Sequence, residues 1–126
     1  MEFPKNVKVG GMEYKIIFPY QYTERCDEMG QACHGIGVIR VANRDSSGEE
    51  IHNDRSKEVL LHEIMHIIDW VYNSQKMEED TVDRMSHGLF QVIRDNPDVI
   101  NKIMYKEKEG AIQSNDGKSK EGSLSA

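Results

Sequence analysis

The sequence predicts an α+β fold, in which a small antiparallel sheet packs on a long helix and on a second, returning helix. Strand-forming segments occupy the first third of the chain, and helical periodicity occupies the second third. Strands followed by helices are typical of this fold class. With 126 residues the chain can bury one core of modest size, so we expect one domain, residues 1–105.

Three segments are rich in strand-forming residues: 7–9, 13–18 and 37–42. Gly10 and Gly11 separate the first two segments, which is typical of a hairpin turn. In the third segment Ile39 and Val41 share one face, because successive side chains of a strand point to opposite faces. The stretch between the second and third segments is interpreted as a loop.

Apolar residues at helical spacing predict three helices in the second part of the chain. The first begins within 54–56 and ends at 73–74, the second begins within 77–79 and ends at 96, and the third spans 98–105. Either Asp54 or Ser56 can cap the first helix, and the Asn96-Pro97 pair ends the second. The remaining residues, 106–126, include few apolar side chains and are predicted to be disordered.

Composition excludes several classes of function. The formal net charge is −6 and basic residues are not clustered, so we expect no general attraction to nucleic acid or to anionic membranes. The first residues contain no apolar run typical of a secretory signal, and no segment reaches the roughly 18–20 apolar residues of a membrane span. We therefore expect a cytoplasmic protein in which Cys26 and Cys33 are unpaired thiols. The sequence does not indicate an oligomeric state.

The first predicted helix carries the motif His62-Glu63-Ile64-Met65-His66. Residues four apart on a helix differ by about 40° in direction and ~6 Å in height, so both imidazoles can reach one point. Two nitrogen ligands in this arrangement suit a tetrahedral zinc ion. Glu63 points about 100° away from His62 and can instead accept a proton from a zinc-bound water. The alternative is a surface helix with two solvated histidines.

A third ligand is expected from the acidic start of the second helix, which contains Glu78, Glu79, Asp80 and Asp83. The phase of the apolar side of this helix favours Glu79 as the ligand. Asp83, four residues further on, is then predicted to accept a hydrogen bond from a ligand imidazole. The reverse assignment of Glu79 and Asp83 stays open, and so does the interpretation that the acidic run only stabilises a helix N-terminus.

Two further roles concern the orientation of His66 and the stabilisation of the oxyanion. Asp69, about one turn beyond His66, either orients that imidazole or is a solvated carboxylate at the end of the helix. A hydrogen-bond donor that stabilises the oxyanion of the reaction is also expected. The sequence offers four candidates without choosing between them: His34, His87, Tyr72 and Tyr105.

The pattern His62-Glu63-x-x-His66, followed by Glu79 and Asp83 on the next helix, resembles the Glu-zincin metallopeptidases. Residues 9–97 are similar, more closely, to small phage and prophage proteins related to the ImmA/IrrE-type metallopeptidases. The segments that carry this second resemblance lie at 8–11, 61–66 and 88–97.

The resemblance implies a zinc-dependent peptidase that acts on a protein or peptide substrate. Its zinc ligands would be His62, His66 and Glu79, and Glu63 would activate the zinc-bound water. The strand 37–42 would form the edge of the sheet, where an extended substrate can add as a further strand. Two alternatives remain: a catalytically degenerate zincin that serves as a metal-binding interaction module in a phage or prophage context, and a metal-free regulatory protein that acts through its acidic surface.

Overall fold

The computed structural model describes residues 3–20 and 29–105. Within these ranges the chain forms the strands β1 (Asn6–Val9), β2 (Met12–Ile17), β3 (Gly30–Cys33) and β4 (Val38–Val41), and the helices α1 (Asn53–Tyr72), α2 (Glu79–Asp95) and α3 (Pro97–Met104). The predicted α+β class is confirmed. The described residues fall into two compact units, which divide between Phe90 and Gln91. The predicted disordered tail, 106–126, lies outside the described residues.

The sheet is mixed, with the strand order β1-β2-β4-β3. β1 pairs with β2, and β3 with β4, in the antiparallel sense, whereas β2 and β4 run parallel with Ile16 opposite Ile39. The prediction of an antiparallel sheet is therefore wrong for its central pair. The physical reason is that β3 reverses the chain between β2 and β4, so β4 returns in the direction of β2 and pairs beside it.

The predicted loop between the second and third strand segments contains β3. Its sequence, GQAC, has no β-branched or aromatic residue, so its local strand propensity is low. It forms a strand because β4 pairs with it along its whole length, from Gly30 opposite Val41 to Cys33 opposite Val38. β4 is consequently internal, and the expectation that it forms the sheet edge is wrong. The edge next to α1 is β3.

The hydrophobic core lies between the sheet and α1. Its buried side chains come from three strands and the helix: Val9, Tyr14, Ile16, Ile39, Val41, Val59, Leu60 and Ile67. Ile39 and Val41 share the buried face of β4, as the alternation predicts. Each fully buried aliphatic side chain of this kind contributes about 1.5–3 kcal/mol of transfer free energy. The position of α1 on the sheet is therefore set mainly by apolar packing.

α1 begins at Asn53, one residue before the predicted range. His52 caps it, because Nδ1 of that ring accepts a hydrogen bond of 3.2 Å from the backbone N–H of Asp54. Ser56, one of the two predicted caps, is fully buried instead. Its hydroxyl donates to the carbonyl of Ala42, 3.0 Å away and directly after β4. This hydrogen bond ties the start of α1 to the end of the sheet.

The second unit begins at Gln91 and contains the end of α2 together with α3. As predicted, α2 stops at the Asn96-Pro97 pair: it ends at Asp95, and α3 begins with the proline, one residue before the predicted start. The side-chain amide of Asn96 donates to the carbonyl of Val92, 3.0 Å away. This bond satisfies a carbonyl that the end of a helix leaves without a helical partner.

Two expectations from composition concern the thiols and the membrane. Cys26 lies outside the described residues, and Cys33 is a free thiol whose sulfur accepts a hydrogen bond of 3.1 Å from Arg40. Among the helices of the described residues, none has the length and apolar character needed to cross a bilayer.

The close approach of β3 to α1 requires a glycine. A Cβ atom at Gly30 would lie 2.6 Å from Cγ1 of Val59 and 3.0 Å from Oε2 of Glu63. We expect Gly30→Ala to lower the free energy of unfolding by about 1–3 kcal/mol, because the strand or both α1 side chains must move. Urea unfolding measures this change.

Gly35→Ala is the matched control, since a Cβ atom there meets no atom within 4 Å. Its effect on the free energy of unfolding should stay within about 0.5 kcal/mol. Equal stabilities for the two alanine variants would contradict the close approach of β3 to the helix.

Candidate metal centre

Three side chains from two helices converge on one point. His62 and His66 of α1 lie with their Nε2 atoms 3.1 Å apart. Glu79, the first residue of α2, places Oε2 3.0 Å from Nε2 of His62 and Oε1 2.8 Å from Nε2 of His66. The ligand atoms of the three residues all lie within 4.8 Å of one another, so the group can hold a metal ion.

The group lies in a cleft of about 650 Å³ that β3, α1 and α2 line. The side chains of His62 and His66 are 14% and 29% exposed, whereas that of Glu79 is 70% exposed. The two imidazoles therefore form part of the cleft wall, and the carboxylate reaches them from the rim. An ion held here would remain accessible from the cleft.

A row of polar contacts joins α1 to α2. Glu79 contacts both imidazoles, Oδ1 of Asp83 lies 3.3 Å from Nδ1 of His62, and Glu58 contacts Nδ1 of His87. The participants recur every four residues on each helix, at 66, 62 and 58 of α1 and at 79, 83 and 87 of α2. Since four residues are about one turn, the row shows two antiparallel helices meeting turn by turn.

Glu79, rather than Asp83, meets the point that the two Nε2 atoms share. Asp83 lies at the other ring nitrogen of His62. A carboxylate in that position accepts the Nδ1–H and leaves Nε2 with its lone pair directed at the shared point. The contact thus favours the tautomer of His62 that can bind a metal.

Glu63 lies in the same cleft but outside the group of three. It is buried, and its side chain lies against Gly30 at the start of β3. As the residue after His62, it points about 100° further round the helix. Glu63 therefore lies on the β3 side of the cleft, while Glu79 lies on the α2 side.

Asp69 closes the connection between the two helices. It is buried, and its carboxylate accepts hydrogen bonds from the side-chain amide of Asn73, at 2.9 Å, and from the backbone N–H of Met77, at 3.2 Å. Among the described residues, no contact joins it to His66. Neither of the two roles considered from the sequence matches this placement. Asp69 instead holds the turn from which α2, and hence Glu79, departs.

Of the four residues considered as oxyanion stabilisers, two line the cleft. These are His34 and His87. Tyr72 and Tyr105 are exposed side chains outside the cleft lining, and Tyr105 belongs to the second unit.

His34 directly follows β3 and is held on two sides. Its ring stacks on that of Trp70, with centroids 4.4 Å apart and planes 11° from parallel, and its Nδ1 lies 3.3 Å from the hydroxyl of Tyr14. Burial, and then the charge of His66, lower the pKa of the His34 imidazole. Burial raises the pKa of the Tyr14 hydroxyl. Both groups are consequently neutral near pH 7.

Sequence reasoning missed two of these arrangements. The contact between Glu58 and His87 could have been predicted from the sequence. Glu58 lies four residues before His62, and His87 lies four residues after Asp83. The contact between Tyr14 and His34 had no such signal in the sequence, because the two residues lie 20 positions apart, one on β2 and the other directly after β3.

Searches with protein-family models, among curated proteins and among solved structures found no significant match to this chain. The resemblance to the Glu-zincins thus depends on the sequence motif and stays a prediction.

We expect Asp69→Ala to lower the free energy of unfolding by about 1–3 kcal/mol, because the partly buried N–H of Met77 and the side-chain amide of Asn73 lose their charged acceptor. The turn that positions Glu79 should loosen as a result. Urea unfolding measures the change in stability.

Asp80→Ala is the control. Asp80 is exposed on α2 and forms only a surface ion pair with Arg84, so its loss should cost at most about 1 kcal/mol. Unchanged stability in Asp69→Ala would show that the turn does not depend on this carboxylate.

Proposed function

We propose that this protein is a zinc-dependent peptidase in which His62, His66 and Glu79 bind the metal and Glu63 is the general base. The observation that carries the proposal is the convergence of three ligand atoms on one point of a cleft that also contains a buried carboxylate. This combination supports a hydrolytic centre more than a structural one, because structural zinc sites use four protein ligands.

Zinc fits the residues present in kind and in spacing. Two imidazoles and one carboxylate are ordinary zinc ligands, and three protein ligands leave a fourth position open for water or substrate. Ligand atoms at 2.0–2.1 Å around a tetrahedral ion are about 3.3 Å apart. The three separations of 2.8–3.1 Å in this group are close to that value.

Bound zinc supplies a Lewis acid that polarises the scissile carbonyl and lowers the pKa of water. Glu63 accepts the proton of the attacking water while the water oxygen bonds to the carbonyl carbon. The same carboxyl group then passes that proton to the nitrogen of the leaving amine as the C–N bond breaks. Its burial beside Gly30 holds it on one side of the cleft throughout.

A protein or peptide substrate can bind in extended form along β3. One side of this strand pairs with β4, and no other strand of the described residues pairs with its second side. The carbonyl of Met29 accepts a hydrogen bond from Ala42 on the β4 side. Because backbone groups alternate along a strand, those of Gly30 and Ala32 are directed to the open side, where a substrate strand can pair with them.

The test of the catalytic assignment is Glu63→Gln, which removes the base and keeps the shape. We expect the variant to retain zinc and to cleave about 10²–10⁴-fold more slowly than the wild type. Cleavage of a mixed peptide library by the zinc-loaded protein, followed by mass spectrometry, measures the rate. Glu78→Gln, an exposed carboxylate outside the cleft lining, is the control and should cleave like the wild type.

Metal analysis tests the ligand set separately. We expect about one zinc per chain in the wild type and a loss of zinc in His62→Ala and Glu79→Ala. Fewer than ~0.2 zinc per chain in the wild type would contradict the metal centre. Stoichiometric zinc with no cleavage of any library peptide would favour the alternative of a metal-binding interaction module. Glu63→Gln cleaving at the wild-type rate would remove Glu63 from the mechanism.

A further inference from the structure

The ring of His34 is held in the cleft by two aromatic neighbours, Trp70 and Tyr14. This residue directly follows β3 and lines the cleft with His62, His66 and Glu63. Trp70 fixes the plane of the ring by stacking on it. The hydrogen bond between Nδ1 and the hydroxyl of Tyr14 fixes the orientation of the ring within that plane. A side chain held in this way loses little conformational entropy when it binds a further group.

The contact with Tyr14 also determines which nitrogen carries the proton. Tyr14 is fully buried, and among the described residues its hydroxyl has one hydrogen-bond partner, Nδ1 of His34. If the hydroxyl accepted from Nδ1–H, its own proton would be buried without an acceptor in that part of the chain, which is costly. The hydroxyl therefore donates to Nδ1. Since a neutral imidazole has one N–H, that hydrogen is on Nε2.

We propose that His34 is a catalytic residue that donates a hydrogen bond from Nε2–H to the oxygen of the carbonyl under attack. Tyr14 is a positioning residue that sets this tautomer. The inference rests on the proposed peptidase function, because the acceptor is the oxyanion of peptide hydrolysis. A donor fixed before the substrate arrives stabilises the developing negative charge without having to reorient.

His87, the other histidine of the cleft, is less suited to this role. Its side chain is 66% exposed, and its Nδ1 contacts the carboxylate of Glu58. A donor on an exposed ring competes with water for its acceptor, so it contributes less to an oxyanion than a donor in a half-buried site. Its ring also lacks an aromatic partner comparable to Trp70 among the described residues.

The kinetic test compares two substitutions of His34 in the zinc-loaded protein. We expect His34→Ala to lower kcat by about 10²–10³-fold with little change in KM, since the donor acts on the transition state. His34→Gln, which keeps an N–H near the position of Nε2, should recover part of that loss. Both variants must contain as much zinc as the wild type.

Tyr14→Phe removes only the hydroxyl, and Tyr72→Phe, an exposed tyrosine outside the cleft lining, is its matched control. We expect the first to lower kcat and the second to leave it unchanged. Circular dichroism of Tyr14→Phe checks that the core is intact. If His34→Ala has the kcat of the wild type while Glu63→Gln is inactive, the role of His34 is overturned and the peptidase function still stands.

A second measurement does not depend on activity. The ¹⁵N chemical shifts of the His34 imidazole distinguish the two neutral tautomers. We expect the Nε2–H tautomer in the wild type and a mixture of tautomers in Tyr14→Phe. An Nδ1–H tautomer in the wild type would overturn the proposal whatever the kinetic result. A zinc-loaded wild type that cleaves no peptide would overturn the peptidase function and, with it, the catalytic role of His34.

Discussion

In the first unit, α2 contacts α1 through polar side chains that meet turn by turn. Val82 and Ser86 are the buried residues of α2, so Val82 supplies the buried apolar packing of this helix, which contributes about 1.5–3 kcal/mol. A contact between an imidazole and a partly exposed carboxylate contributes at most about 1 kcal/mol. Glu79, Asp83 and His87 together therefore hold this helix only moderately, and the turn closed by Asp69 sets where it starts.

Because α2 is held against α1 only moderately, the proposed metal ion would add to its attachment. An ion bound by His62, His66 and Glu79 joins the two helices at the point where α2 begins. Because such an ion binds the folded arrangement and not the unfolded chain, its binding free energy adds to the stability of the helix pair. Formation of the centre and the docking of α2 would then be one coupled event.

The opposite wall of the cleft depends on apolar packing and on one small residue. α1 is anchored to the sheet by buried side chains such as Ile67, and β3 approaches it closely at Gly30. That approach buries Glu63 on one side of the cleft. β3 is the last strand of the sheet on this side, so among the described residues its outer edge has no strand partner. β3 therefore positions three parts of the proposed site: the base Glu63, the strand that a substrate would pair with, and the ring of His34 that directly follows it.

Local patterns were sufficient for the hairpin, for the three helices and for the juxtaposition of His62 and His66, since one helical turn determines each of these relations. Identifying Glu79 as the third member of the metal-binding group also required the geometry of the turn between α1 and α2. Twelve residues separate His66 from Glu79, and helix phase favoured Glu79 as the ligand but left the reverse assignment with Asp83 open. The hydrogen bonds of Asp69 determine how α2 leaves that turn, and no periodicity records them.

The sequence by itself determined the elements whose partners are close along the chain: the α+β class, the extents of the helices and the pair of imidazoles on α1. Only the tertiary structure decided that β3 exists, that it rather than β4 forms the edge, that β2 and β4 run parallel, and that Tyr14 reaches His34. The physical reason is the same in each case. These features arise from pairing and burial between distant segments, and a four-residue strand such as GQAC acquires its conformation from its neighbour rather than from its own side chains.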